Sequence, residues 1–540
     1  LTSITIPKWV THIGNQAFKD DSNLATVTFA DIEDSRLAWI GQYAFVATAI
    51  TSIIIPGSVV HLNEGALKDC NSLTTVTFLE STHTMGLTIH SMHDQMFSSL
   101  SSNSQVFFKE GQFFKSYGGY IRTTPTIGTT ASFIGSPSTT TINSYEIAGT
   151  GDFTESDYTN AGSPPYTVLT NSDSTGWTTI KESTGAFRGN TNIIGIVIPK
   201  TVHTIEENAF KDASNLAYVT FANIENSVFN DIGRGVFRRT ALTSITIPPG
   251  VTSIGIASFA ETALTSITIP ALVKTIGQNA FYECSSLTTV TFAVGSVLET
   301  IGISSFAKTA LTSITIPTLV KIVNNDAFKE CSSLTTVTFA TGSVLETIKA
   351  GAFQRCGFTS IIIPKNVTSI ENYAFYNCPY LTAIHVDAGN DTFNTDNGVL
   401  YKKNGDNNIN TLVQYPIGKT DTTFTIPYGV VVIGKAALAK SNITELVISA
   451  TVTSIENNAF RNITSLVMVT LLPSANWNTT GITTMGLDVF SGSTSLSMVR
   501  IKHGHVIAGT AYNVGTTGSF FGSPATTMLV NIYTILYTSG

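Results

Sequence analysis

Apolar and polar residues alternate in short runs along most of the chain, as Leu264 to Cys284 shows. Ile267 and Ile269 flank Thr268, so one side of the run is apolar, which predicts a strand with one buried face. Pro270 lacks a backbone N–H and ends this strand. The run GQNAFYEC then predicts about one helical turn, which seats Phe281. The apolar side of the return segment consists of Val273, Ile276, Ala280 and Phe281.

This pattern recurs at nearly fixed spacing. The closing phenylalanines of successive copies are 22, 25, 22 and 25 residues apart, at Phe259, Phe281, Phe306, Phe328 and Phe353. Repeats of about 20 to 29 residues are typical of leucine-rich repeat solenoids, in which each coil buries its apolar edge against its neighbours. We therefore predict an α/β leucine-rich repeat solenoid, mainly parallel β, with one parallel sheet and short helical turns.

Segments of different composition interrupt the repeats. One is rich in Gly, Ser, Thr and Tyr, and another alternates around the polar turn KNGDNN, which indicates a β-hairpin. The predicted domains are repeats that end a preceding array at 1–108, a β-rich spacer module at 109–183, a repeat array at 184–386, a hairpin insertion at 387–423, repeats at 424–490 and a partial second spacer at 491–540.

A second, larger repeat links the two spacers. IGTTASFIGSPSTT (127–140) matches VGTTGSFFGSPATT (514–527) at eleven of fourteen positions, 387 residues apart. The chain therefore resembles a window cut from a longer array. We expect the spacers to act as joints between solenoid arrays, with Phe133 and Phe520 as packed anchors. Head-to-tail repetition of such units predicts a fibre rather than a closed ring.

Composition narrows the class of partner. Charged residues make up 12% of the chain, the net charge is −7 and no Lys/Arg cluster occurs. Nucleic acid and anionic membranes are therefore not expected partners. No run of ~18 apolar residues is present to span a bilayer. The Thr-, Ser- and Asn-rich polarity favours an extracellular surface, and no cofactor is predicted.

The coil LTSITIP-x-x-V-x-x-I-G-x-x-A-F-x-x-C resembles the BspA-like, or Treponema pallidum type, leucine-rich repeats. The resemblance covers roughly 1–108, 185–386 and 420–500. It implies a secreted, cell-surface or virion-surface protein that acts in adhesion, in protein binding or as a structural unit. The family supplies no catalytic motif, and fold resemblance alone is a weak guide to function.

Few residues point to chemistry. His90, His93 and Asp94 could hold a metal on a helical turn, although solvated side chains explain them equally simply. The acidic and amide residues at 387–398 could bind calcium or form a hydrogen-bonded turn. The five cysteines occupy equivalent positions after the anchor, which favours small buried residues. No Ser/His/Asp motif or phosphate loop occurs, so we predict that the chain is not an enzyme.

The polar side of the strands is the predicted binding face, because stacked coils align its hydroxyls into two rows. These rows could be solvated β-formers, a contact surface for a protein, a glycan or another copy of the chain, or an ice-binding face. The face residues are Ser244, Thr246, Ser266, Thr268, Thr289, Thr291, Ser313, Thr315, Thr336 and Thr338. Sequons for glycosylation lie at Asn366, Asn390, Asn442, Asn462 and Asn478.

Overall fold

Each regular coil in the computed structural model contains two strands. The alternating run forms a four-residue strand, here called the face strand, and the V-x-x-I segment forms a two-residue return strand. Both kinds of strand pair in parallel with the same kind in neighbouring coils. The predicted parallel solenoid is confirmed, but the prediction of a single sheet is wrong because the return segment forms a second one.

The chain divides into two units, Leu1–Asn230 with Arg239–Pro248, and Asp231–Arg238 with Pro249–Gly540. The structure describes residues 1–30, 32, 35–79, 87–92, 105–108, 113–116, 122–123, 141–144, 146–149, 151–153, 166–171, 176–181, 187–221, 228–472, 481–501, 506–507, 510–511, 523 and 527–531.

The first unit contains the following strands. Its face strands are β1 (Ser3–Ile6), β3 (Thr26–Phe29), β5 (Ser52–Ile55), β7 (Thr75–Phe78), β9 (Gln105–Phe108), β12 (Thr141–Ser144), β13 (Glu146–Gly149), β15 (Tyr166–Asn171), β17 (Gly195–Ile198) and β19 (Tyr218–Phe221). Its other strands are β2 (His12–Ile13), β4 (Trp39–Ile40), β6 (His61–Leu62), β8 (Leu87–Met92), β10 (Phe113–Ser116), β11 (Arg122–Thr123), β14 (Gly151–Phe153), β16 (Trp177–Ile180) and β18 (Thr204–Ile205).

The second unit repeats this arrangement. Its face strands are β22 (Ser266–Ile269), β24 (Thr289–Phe292), β26 (Ser313–Ile316), β28 (Thr336–Phe339), β30 (Ser360–Ile363), β32 (Ala383–Val386), β36 (Thr423–Thr425), β38 (Glu445–Ile448), β40 (Met468–Leu471), β42 (Met498–Ile501) and β45 (Met528–Asn531). Its return strands are β20 (Asp231–Ile232), β21 (Ser253–Ile254), β23 (Thr275–Ile276), β25 (Thr300–Ile301), β27 (Ile322–Val323), β29 (Thr347–Ile348), β31 (Ser369–Ile370), β37 (Val432–Ile433), β39 (Ser454–Ile455) and β41 (Thr484–Met485). The remaining strands are β33 (Phe393–Asp396), β34 (Val399–Lys403), β35 (Ile409–Gln414), β43 (Val506–Ile507) and β44 (Thr510–Ala511).

The inward residues of the face strands stack in register, as the alternation predicts. Ile267 lies opposite Val290, and Ile314 lies opposite Val337. All four are buried, because each coil shields the apolar edge of the next. Ile245 occupies the same place in its coil, but its backbone lies outside a strand.

The segment predicted as a helical turn is a non-helical ribbon, here called the turn ribbon. Asn279 and Glu283 both have left-handed backbone angles, φ 56° and 57°. The N–H groups of Asn279, Phe281 and Glu283 donate to carbonyls of the next coil, Ile303, Ser305 and Ala307, at 2.7 to 3.0 Å. An α-helix would direct these N–H groups to its own carbonyls. The described residues contain no α-helix.

The ribbons align the anchor side chains into a ladder. From Phe237 through Phe375, successive phenylalanine rings lie 5.1 to 6.0 Å apart, and most are within 7° of parallel. Offset stacking at this spacing is favourable for aromatic rings. The predicted anchors Phe18 and Phe45 stack at 5.2 Å in the first unit.

The glycine of the I-G pair allows neighbouring coils to approach closely. A Cβ on Gly277 would lie 2.7 Å from the carbonyl carbon of Gly255 in the preceding coil. Real Cβ atoms are not found so close to backbone, so a larger residue at Gly277 would require the adjacent backbone to shift.

A pair of face strands in the first unit joins two stacks. β12 pairs in parallel with β9, and β13, which begins two residues after β12 ends, pairs in parallel with β15. Both lie within the predicted spacer 109–183. After the second copy of the spacer motif, β45 pairs in parallel with β42. The two motif copies themselves, including Phe133 and Phe520, lie almost wholly outside the described residues. The predicted domain limits therefore remain predictions.

The insertion at 387–423 contains three antiparallel strands where two were expected. β33 pairs with β34, and β34 pairs with β35. β35 then pairs in parallel with the return strand β37, which connects the insertion to the following coils.

We predict that Phe281→Ala lowers the free energy of unfolding by ~3–5 kcal/mol, because it leaves a cavity in a fully buried ladder. Phe281→Leu is the matched control, since Leu438 fills the same position in another coil. It should cost less than half as much. Urea titration monitored by circular dichroism measures both changes, and equal losses would contradict the ladder.

Candidate binding face

The predicted polar rows lie on the outward side of the face strands. Ser266 lies opposite Thr289 and Thr268 opposite Thr291, and the pairs Ser313–Thr336 and Thr315–Thr338 repeat this arrangement. All eight are exposed. The hydroxyls of Thr315 and Thr338 are 2.8 Å apart, within hydrogen-bond distance. Ser244 and Thr246 are also exposed, but they lie outside a strand.

A third row of threonines, which the sequence reasoning missed, lies immediately before each strand. Thr288 Oγ1 donates to the carbonyl of Thr265 at 3.1 Å, and Thr335 does the same to Thr312. These side chains tie consecutive coils together. The sequence signal for this row was the Thr that follows the recurring Leu in the runs LTS and LTT.

The backbone pairing beneath these rows is interrupted. In this part of the array the face strands pair only in twos, β22 with β24, β26 with β28 and β30 with β32. The break follows each long coil, whose extra residues separate its face strand from the next one. The two-by-two pairing divides the polar face into short patches.

A groove of about 470 Å³ opens at one of these breaks, between β28 and β30. Its walls include Phe339 and Ile362 with Lys365 and Asp387 at its edge. Ile362 points outward and is 58% exposed, where the four preceding face strands carry threonine. The groove therefore adds apolar surface to an otherwise hydroxyl-lined face.

In the first unit the same face is covered by protein. The outward residues Ile54, Thr77 and Phe107 are buried. Ile194 and Val197 pack against this core cluster. Tyr218 Oη donates to the carbonyl of Phe29 at 2.6 Å, across 189 residues of sequence. Outward positions in these coils carry Ile, Phe, Val and Tyr, and that composition was the signal that the face is covered.

The cysteines support the fold and are not reactive groups. All five are free and buried. Cys284 Sγ and Thr262 Oγ1 both donate to the carbonyl of Phe259, at 3.0 and 2.9 Å. Thr or Cys occupies this position in every coil from Phe237 to Phe375, and either side chain can donate such a hydrogen bond. Burial raises the pKa of the Cys284 thiol to about 11 and that of Cys378 to about 12.

The structure describes the calcium candidate in full but only part of the metal candidate. His90 lies in strand β8 and not on a helical turn; its side chain, His93 and Asp94 lie outside the described residues. In the proposed calcium loop, the buried Asn390 donates to the carbonyls of Pro364 and Val367 and accepts from the N–H groups of Thr392 and Phe393. This network is a hydrogen-bonded turn, the alternative considered for 387–398.

The sequons differ in access. Asn366 and Asn442 are exposed and Asn462 is half-buried, whereas Asn478 lies outside the described residues. Asn390 is 3% exposed and its amide nitrogen makes two hydrogen bonds, so the folded chain leaves no room for a glycan there. In the parts of the chain that the structure describes, no helix has the length and apolarity to cross a bilayer.

The family follows from a match over most of the sequence. A model of the BspA type leucine-rich repeat region matches residues 1–118, 178–297, 299–397 and 419–513. The chain belongs to the BspA-type leucine-rich repeat family. A search of curated proteins gives no match.

Solved structures of bacterial repeat proteins are similar. A leucine-rich repeat protein from Bacteroides ovatus is 22% identical with a TM-score of 0.45, over 66% of this chain and 88% of that one. The pneumococcal vaccine antigen PcpA is 19% identical, with a TM-score of 0.41, over 53% and 82%. A leucine rich cell surface protein from Faecalibacterium prausnitzii is 26% identical, with a TM-score of 0.39, over 54% and 86%.

We predict that the folded chain resists thiol reagents. A thiol pKa raised from 9.0 to about 11 leaves Cys284 protonated at pH 8, and a two-unit rise lowers the thiolate fraction roughly a hundredfold. Labelling with a chromogenic disulfide should therefore be slower in buffer than in 6 M guanidinium by about a hundredfold or more. Fast labelling of any cysteine in the native chain would contradict its burial.

Proposed function

We propose that the chain is a non-enzymatic, surface-exposed protein that binds another protein through its outward sheet face. The observation that supports this most strongly comes from the first unit, where the same face already packs against other coils through Val197 and Tyr218. The face is thus able to form a protein contact. Membership of the BspA-type family agrees with such a role.

The proposed contact centres on the groove between β28 and β30. Binding interfaces draw most of their energy from a few apolar or aromatic anchors in a pocket, surrounded by neutral polar contacts. Ile362 and Phe339 provide the apolar centre, and the Ser/Thr patches of β26 and β28 provide the surrounding ring. No charged residue occupies an outward position on β22, β24, β26 or β28, so the partner surface is expected to be largely uncharged.

Glycan binding and ice binding through the same hydroxyl rows have less support. An ice lattice requires a long regular array, and the face strands pair only in twos between β22 and β32. A glycan site would usually present aromatic platforms, whereas outward positions of β22 to β28 carry only Ser and Thr.

A structural role in a longer assembly is a second proposal, favoured by the joint strands. In the first unit β12 closes one stack and β13 opens the next. β45, which follows the second copy of the spacer motif, occupies the same place after β42 as β12 does after β9. Copies of the chain, or further units of a longer one, would then join through equivalent strands.

The test of the binding face uses arginine substitutions in the full chain. Thr338→Arg combined with Ile362→Arg places two positive charges in the centre of the proposed contact. We expect binding to a panel of immobilised matrix proteins, and to the chain itself, to fall at least tenfold for every partner that binds, as loss of a central anchor predicts. Biolayer interferometry measures the change.

The matched control places the same charge on the return side. Thr275→Arg and Thr300→Arg lie on outward positions of β23 and β25. They should leave binding within about twofold, as peripheral substitutions do. Equal loss from both pairs, or undiminished binding by the first pair, would show that the face is not the binding surface.

A further inference from the structure

The edge of one coil has lost its neighbour where the hairpin insertion begins. The seven-stranded return sheet ends at β31, and the next return strand, β37, pairs instead with β35. Among the described residues, which include all of 228–472, the carbonyl of Ile370 has no donor and the N–H groups of Tyr373, Phe375 and Asn377 have no acceptor. One coil edge is therefore unpaired over a full turn.

The corresponding groups in other coils are paired. In the coil of Phe328, the N–H groups of Asp326, Phe328 and Glu330 donate to the carbonyls of Ala350, Ala352 and Gln354 at 2.8 to 2.9 Å. In the coil of Phe353, the N–H groups of Phe353 and Arg355 still donate to the next coil. The unpaired edge is thus a consequence of the insertion and not a property of the repeat.

A cavity of about 170 Å³ lies along this edge. One wall is the backbone from Thr368 to Phe375, and the other consists of hairpin side chains, including Phe393, Lys402, Thr411 and Val413. Ile370 is only half-buried, although the equivalent residues of return strands β29 and β37, Ile348 and Ile433, are fully buried. The cavity therefore reaches from solvent to the apolar core.

Tyr373 and Lys435 line the opening, and a second tyrosine–lysine pair, Tyr376 and Lys440, packs beside them. The Lys435 ammonium lies 5.4 Å from the centre of the Tyr373 ring, and Lys440 lies 5.7 Å from that of Tyr376. Tyr373 Oη accepts a hydrogen bond from Asn458 Nδ2 at 3.4 Å, so the ring extends over the following coils. These contacts fix the side chains around the cavity while its backbone edge stays unpaired.

The pattern of unpaired groups matches the backbone of a neighbouring coil edge, which is extended at the return strand Ser253–Ile254 and left-handed at Ala257, φ 52°. Exposed edges with alternating donors and acceptors accept an added strand, and side-chain pockets then provide selectivity. The neighbouring coil supplies this pattern elsewhere: the N–H of Gly255 donates to the carbonyl of Ile232, while the carbonyls of Ile256 and Ser258 accept from Gly235 and Phe237. Ile370, Tyr373 and Phe375 stand in the places of Ile232, Gly235 and Phe237.

The size of the cavity restricts the guest. Pockets for drug-sized molecules occupy about 300–1,000 Å³, so this cavity of about 170 Å³ encloses only a small part of a guest. It suits one apolar side chain directed at Ile370, with the rest of the segment lying along the open coil edge. The hairpin sheet closes the far side of the cleft. Only one segment can therefore be added, and no further strand can pair with it there.

We propose that the cleft between 368–377 and the hairpin binds a short segment of a partner polypeptide, in the conformation of a coil edge, by completing the missing coil-edge hydrogen bonds. The site is separate from the outward sheet face. Its failure in the experiment below therefore leaves the proposed binding face untouched, and failure of the face leaves this cleft untouched.

The test uses the full chain and a labelled heptapeptide, Thr-Ser-Ile-Gly-Ile-Ala-Ser, which has the sequence of residues 252–258. We expect saturable binding by fluorescence anisotropy. The same peptide N-methylated at its glycine lacks the donor to Ile370 and should bind at least tenfold more weakly. Absence of binding by the first peptide, or equal binding by both, would overturn the proposal.

Two further readouts locate the site. Val413→Trp fills the cavity and should abolish peptide binding, whereas Val431→Trp, on a half-buried residue that does not line the cavity, should leave it within twofold.

Hydrogen exchange of the Phe375 amide should be fast in the free chain compared with Phe353 and at least tenfold slower with peptide. A Phe375 amide as protected as Phe353 in the free chain would mean that the edge is already closed, which contradicts the proposal.

Discussion

The fold depends on backbone hydrogen bonds that pass from one turn ribbon to the next. Two left-handed residues, such as Asn279 and Glu283, rotate every second N–H outward, so that three donors per coil reach the carbonyls of the following coil. Left-handed backbone costs about 1 kcal/mol at a non-glycine residue. The hydrogen bonds, the buried phenylalanine ladder and the Thr or Cys donor to the phenylalanine carbonyl offset this cost in every coil.

The functional features arise where this regularity changes. Between β22 and β32, long coils separate the face strands after every second one and open the groove beside Ile362. The hairpin insertion removes one neighbour and leaves the edge at Tyr373 and Phe375 unpaired. Apolar outward residues, such as Val197, direct one part of the face into contact with another. The regular coil is a scaffold, and its interruptions create the surfaces that we propose for binding.

Sequence reasoning recovered what periodicity encodes. The inward residues, the anchors at Phe281 and its equivalents, and the exposed Ser/Thr face follow directly from alternation and repeat length. The turn ribbon was mistaken for a helical turn because GQNAFYEC contains no residue that demands a left-handed angle. The interrupted pairing of the face strands and the cleft at Ile370 were not predictable. Both depend on how a long coil or an insertion displaces its neighbour in space.

The turn ribbon can be tested directly with glycine. Ala436 has φ 55°, whereas Ala437, the next residue, is fully buried and does not have a positive φ. In a helix, Ala→Gly costs about 1 kcal/mol at either position. The ribbon predicts instead that Ala436→Gly leaves the free energy of unfolding unchanged or raises it, because glycine removes the left-handed strain, while Ala437→Gly lowers it by about 1 kcal/mol. Equal destabilisation by both substitutions, measured by urea unfolding, would contradict the ribbon and the coil-to-coil hydrogen bonds that depend on it.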